Sequence, residues 1–192
     1  MSPGADRRLL ALVAEDEPLA SMALRAQLEA LQFRVLGPAR NGHEAVHLGA
    51  CHPVDVALFD VLMPGLSGLD AAIHLFDQAP TPVVLLTGVG AADLPDPIPE
   101  PPIFGVLTKP VDLAELGAAL STARDRFLQW ARERHLDVHA DHARRDTLAR
   151  AIHRTAPTRR PAAAAAEFLD LARDQGRSPL ALARSLLDED PA

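Results

Sequence analysis

The sequence predicts an α/β fold, a doubly wound five-stranded parallel sheet, followed by a region built from helices alone. Three observations carry this. Four short runs, LLALVA (9–14), VALF (56–59), VVLL (83–86) and GVL (105–107), are apolar without polar alternation, as strands covered by helices on both faces are. Helical patterns separate the runs, which is the signature of parallel strands joined by crossovers. Beyond residue 111 the pattern is helical only.

Each element has its own reason. The first strand, 9–14, is followed by a helix over 18–31 that places Leu19, Met22, Ala23, Ala26 and Leu28 at helical spacing. FRVLG (33–37) is a weaker strand, and 42–50 is the second helix. The strand 56–59 leads to a helix over 67–78, with Leu69, Ala72, Ile73 and Phe76 as its apolar side. After the strand 83–86 the crossover carries prolines at 95, 97, 99, 101 and 102. Proline lacks the backbone donor and costs about 3 kcal/mol inside a helix, so no full helix is expected there. The last strand, 105–107, precedes a helix over 112–124 whose stripe through Leu113, Leu116, Leu120, Phe127 and Trp130 continues further. A second helical segment carries Leu148 and Ile152 and is broken by Pro157 and Pro161. A third spans 162–174, with Phe168, Leu171 and Ala172 aligned and Gly176 to end it. Ser178 and Pro179 open a fourth, as N-cap and first-turn residue.

The chain has 192 residues and one cysteine, Cys51, which excludes an internal disulfide and suits a reducing cytosol. The run Leu9–Ala14 follows two arginines but ends in three acids, so it is not the core of a signal peptide. No apolar stretch approaches the roughly 18 residues of a membrane span. A cytoplasmic protein without membrane contact is expected. Residues 1–120 hold six basic against fifteen acidic residues, whereas 121–192 hold thirteen against eleven. That asymmetry predicts two units with different partners, here divided at 1–122 and 123–192.

Chemistry gathers at the strand ends. Glu15 and Asp16 follow the first strand, Asp60 the third, Thr87 the fourth, and Thr108-Lys109-Pro110 the fifth. The carboxyl ends of a parallel sheet share one edge, where ligands bind. Carboxylates about 4 Å apart repel by at least ~1 kcal/mol. A hard divalent cation removes that repulsion, and Mg²⁺ suits a few carboxylate oxygens together with water and phosphate. A lysine and a threonine beside such a centre match a phosphoryl group.

The stretches EDEP (15–18), DVLMPG (60–65), LLTG (85–88) and TKP (108–110) together resemble the receiver domain of two-component response regulators, over about residues 8–122. The resemblance implies a flavodoxin-like fold and a regulatory protein rather than an enzyme. It implies that Asp60 accepts a phosphoryl group from a sensor histidine kinase. Mg²⁺ would be held by Glu15, Asp16, Asp60 and the backbone carbonyl of Leu62, while Thr87 and Lys109 would stabilise the phosphoryl oxygens. Phosphatases of the haloacid-dehalogenase type also use an aspartyl nucleophile, but they place an acid two residues later, where this chain has Leu62. Leu62 and Val89, two residues after Asp60 and Thr87, cannot orient a hydrolytic water, so a long-lived phosphoryl group is expected. Val106 stands where receivers usually carry an aromatic switch residue.

LARAIH (148–153) and EFLDLARDQGRSPLALARSLL (167–187) resemble, loosely, the ANTAR domain of transcription antitermination regulators. This implies an output region that binds structured RNA, with Arg144, Arg145, Arg150 and Arg154 as phosphate contacts. It also implies a coiled-coil-like joining helix. A phosphorylation-dependent homodimer is a further expectation, with the stripe through Leu116, Leu120, Phe127 and Trp130 either as its seam or packed into the core of one chain. The alternative is a helical protein-interaction or dimerisation module that binds no nucleic acid.

Overall fold

The computed structural model describes residues 8–88 and 94–188. Five strands, β1 (Leu10–Ala14), β2 (Arg34–Ala39), β3 (Val56–Asp60), β4 (Val83–Thr87) and β5 (Ile103–Thr108), form one sheet in the order β2-β1-β3-β4-β5. All neighbours run parallel. The sheet is flanked by α1 (Pro18–Ala30), α2 (Gly42–Cys51), α3 (Gly68–Gln78) and α4 (Leu113–Glu133). Three more helices follow, α5 (Val138–Thr155), α6 (Pro161–Asp174) and α7 (Pro179–Asp188). The expected fold is therefore the observed one. The proline-rich stretch 94–102 contains no helix. Val89 lies outside the described residues.

Period-two alternation divides the core. Leu10, Leu12, Ala14, Ala57, Phe59, Val83 and Leu85 face α2 and α3. Ala11, Val13, Val56, Leu58, Val84 and Leu86 face α1 and α4, meeting Leu24, Leu28, Leu116 and Leu120. Local caps match the sequence signals. Asn41, Ser67 and Asp112 each accept a backbone N–H in the first turn of the helix they precede. Gly176 leaves α6 at φ +62°, a left-handed exit that glycine takes without strain.

The second half decides between the two readings of the α4 stripe. The stripe on α4 is not a free seam, because Leu116, Leu120, Ala123 and Phe127 are buried in the sheet core. Phe127 and Trp130 continue that packing past residue 122 by ring contacts with Phe76, at centroid distances of 6.3 and 5.1 Å. Burying those rings against the receiver removes more apolar area from water than leaving them exposed for a partner would. The last helices pack on the receiver as well. They form a third core around Leu148, Ile152, Phe168 and Leu182 that takes in Cys51 at the end of α2. Burial pushes the Cys51 thiol up to about 12, so the residue acts as a small apolar side chain.

Candidate functional site

Each residue of the site is placed by a strand end. β1 delivers Glu15 and Asp16, and β3, its neighbour in the sheet, delivers Asp60. This is the reversal of strand order, where a parallel sheet opens a crevice. Glu15, Asp16 and Asp60 offer oxygen atoms that all lie within 4.8 Å of one another. Glu15 is 1% exposed and Asp60 8%, while Asp16 faces solvent.

Lys109 bridges the two buried acids. Its Nζ lies 2.5 Å from Glu15 Oε2 and 2.7 Å from Asp60 Oδ2. Burial lifts the Glu15 carboxyl above its ordinary value, and the hydrogen bond and charge of Lys109 offset this only in part. Burial would pull Lys109 down, but its bonds to Asp60 and Glu15 outweigh that and hold it above its ordinary value. The opposite Asp60 oxygen, Oδ1, accepts the Leu62 N–H at 3.2 Å. Thr87 ends β4 nearly buried, its hydroxyl donating to the Gly88 carbonyl at 3.2 Å.

The donor set is three carboxylates. A hard cation that keeps some of its water fits such a cluster. The cluster's cost without a cation gives a first prediction. Glu15→Gln in EDTA should gain on the order of 1 kcal/mol, chiefly because no buried charge is then desolvated and in lesser part because repulsion from Asp60 is lost, about 2–4 °C in melting temperature. Glu15 has a raised folded value, so its penalty is absent below the ordinary carboxylate pKa and grows as pH rises through the folded one. The gain should follow that rise, and melting curves in EDTA and in Mg²⁺ at several pH values check both points. The same variant should lose the stabilisation that Mg²⁺ gives the parent.

Gly68, the first residue of α3, sets the position of Asp60. A Cβ there would stand 2.0 Å from the Asp60 carbonyl oxygen and 3.3 Å from Val61 Cα. Both are backbone atoms, which cannot swing aside. Gly68→Ala should thus cost about 2 kcal/mol or more and disturb the carboxylate. Urea denaturation checks the stability, and Mg²⁺ titration of the folded variant checks the site.

The arginines expected to meet RNA divide. Arg144 pairs with Asp141 at 2.5 Å and Arg150 with Asp146 at 3.2 Å, both on solvent-facing turns of α5. Arg154 is exposed on the same helix. Arg145 does not belong with them, because it is 1% exposed. Its Nη1 donates to the Gly49 carbonyl at 3.2 Å and to Thr81 Oγ1 at 3.1 Å, and Nη2 lies 2.7 Å from Asp141 Oδ2. The side chain thus joins α5 to the receiver, from beneath β4. The Asp141 carboxylate four residues earlier was the one sequence sign that this arginine had an internal partner. Beside it His142 Nδ1 stands 3.8 Å from Asp55 Oδ1, and Asp55 Oδ2 accepts the Leu10 N–H at 2.7 Å.

Comparison with known proteins agrees with this geometry. The family described as response regulator receiver domain matches residues 11–121. The transcriptional regulatory protein PdtaR of Mycobacterium tuberculosis is 34% identical over 116 residues, 60% of this chain and 57% of that protein. The phyllosphere-induced regulator PhyR of Methylorubrum extorquens is 36% identical over 132 residues, 68% of this chain and 48% of PhyR. The chain thus spans about half the length of these relatives. Among solved structures, the receiver domain of a modulated diguanylate cyclase from Desulfovibrio desulfuricans superposes with a TM-score of 0.59 at 31% identity, covering 64% of this chain and 98% of that one. The receiver domain of the sensor histidine kinase PA1611 from Pseudomonas aeruginosa, solved with magnesium coordinated in its active-site cleft, gives 0.55 at 25% identity, with 62% and 99% covered.

Proposed function

The chain belongs to the response regulator receiver family, and from that premise we propose that Asp60 is the phosphoacceptor of a two-component phosphorelay fed by a sensor histidine kinase. The observation that carries this reading is the triad of Glu15, Asp16 and Asp60 with Lys109 laid across two of its members. Asp60 supplies the nucleophilic carboxylate. Bound Mg²⁺, held by Glu15, Asp16, Asp60 and the Leu62 carbonyl, would offset negative charge on the entering phosphoryl group. Lys109 already lies beside Asp60 and can turn its charge toward the phosphoryl oxygens, and Thr87 offers a hydroxyl from the next strand. A small acyl-phosphate donor with and without Mg²⁺, read by intact mass, tests the reading. Uptake of one phosphoryl group in Mg²⁺ alone is the expected result.

For residues 123–192 the proposal is an output region that binds structured RNA and acts in transcription antitermination. Support comes from the ANTAR-like stretches and from the exposed Arg144, Arg150 and Arg154. The Arg150 pair is solvent-exposed and worth only about 0.2–1 kcal/mol, and Arg144 is itself open to solvent although its partner Asp141 is largely covered, so a phosphate can reach both guanidinium groups. With three contacts the log–log salt slope of binding should be about −0.7 for each contact to a single strand, and glutamine at the three positions should flatten it. Filter binding of a structured RNA across salt concentrations measures the slope. The burial of Arg145 and the tight docking of α5 favour the other reading, a helical protein-interaction module. A slope near zero would select that one.

A further inference from the structure

A cavity of about 590 Å³ lies between α2 and α3 of the receiver and α6 and α7 of the C-terminal helices. Apart from Gln78, its polar lining is cationic or cation-forming: His43 and His47 on α2, His74 on α3, Arg173 at the end of α6 and Arg177 just before α7. Val46, Leu66 and Leu169 form its apolar wall. The two arginines stay charged at any accessible pH. Their present partners are weak. Arg173 meets Asp170 at 2.8 Å in an exposed pair, and Arg177 donates to the Ala181 carbonyl at 3.0 Å.

Three histidines on one wall also invite a metal reading, and two facts oppose it. Among the described residues, the group of three whose donor atoms lie within 4.8 Å of one another is the acidic triad, not these imidazoles. A cation placed among them would also face the fixed charges of Arg173 and Arg177. The acids nearby, Glu44 and Asp170, lie along the edges of α2 and α6 and do not line the cavity. The volume falls within the range that takes small ligands.

We propose that this cavity is a binding site for compact phosphate-bearing anions, with Arg173 and Arg177 as the charge partners and the three imidazoles as hydrogen-bond donors. Such a ligand would touch helices of both halves and so hold the C-terminal helices against the receiver. The site is separate from the Asp60 cluster, which without a divalent cation repels anions.

The test is titration of the full chain with inorganic pyrophosphate in EDTA, followed by isothermal calorimetry and by the carbon–proton ring signals of its eight histidines. Saturable binding is expected, with shifts confined to His43, His47 and His74 and none at His52, His135, His139, His142 or His153. Arg173→Gln and Arg177→Gln sit on exposed or half-exposed positions, and each should weaken binding about tenfold, the scale of one charge-assisted hydrogen bond. Absence of saturable binding at millimolar pyrophosphate would overturn the proposal. So would shifts at the other five histidines, or affinity unchanged in both variants.

Discussion

Asp60→Asn protein takes up no phosphoryl group from a small acyl-phosphate donor, at any Mg²⁺ concentration. The amide is not a nucleophile at neutral pH, and no neighbouring carboxylate can replace it. Glu15 is buried beneath Lys109, and Asp16 stands on the loop after β1, so neither occupies the end of β3. The loss should be complete rather than partial, and folding should survive, since the amide keeps the shape of the side chain and its oxygen can still accept the Leu62 N–H seen at 3.2 Å. Intact mass and circular dichroism of the same sample separate the two effects. A phosphoryl adduct on the asparagine protein would place the acceptor elsewhere and refute the assignment.

The second large effect lies at the far end of the sheet. Arg145→Ala leaves the Thr81 hydroxyl and the Gly49 carbonyl without their present partner and opens a space under α5. Breaking a buried charge pair costs about 3–5 kcal/mol. The retained pair of Asp141 with Arg144 should hold the loss to the lower part of that range. Arg144→Ala, on the solvent side of the same turn, should cost under about 1 kcal/mol. Hydrogen exchange locates the damage. Amides of α5, α6 and α7 should exchange faster in Arg145→Ala while the strands keep their protection. Equal effects of the two substitutions would mean that Arg145 does not anchor the helices.

Much of the receiver could be read from the chain because its signals are local. Apolar runs, turn residues and the acids that end them each act within a few residues, and a parallel sheet turns those separate ends into one edge. The lack of a helix over residues 94–102 could be read from its prolines for the same reason. The fate of α4's stripe and of Arg145 depends on what lies opposite in space. A stripe through Leu116, Leu120 and Phe127 looks the same whether it faces a second chain or its own sheet. An arginine four residues after an aspartate looks like a surface pair until the loop holding Thr81 closes over it. The closeness of Gly68 to the Asp60 carbonyl is likewise a matter of tertiary approach.

β3 and β4 are each five residues long, roughly 16 Å. One starts beside Asp55 and ends at Asp60; the other starts after Thr81 and ends at Thr87. Two stiff rods therefore connect the α5 anchorage to the acidic cluster around Asp60. Energetic linkage between two sites on one body runs equally in both directions. If loading Asp60 loosens the helices tenfold, then any partner that pulls the helices away must favour the loaded form tenfold. A bound target would then raise the equilibrium loading of Asp60 by that same factor, so that output feeds back on input without any further contact.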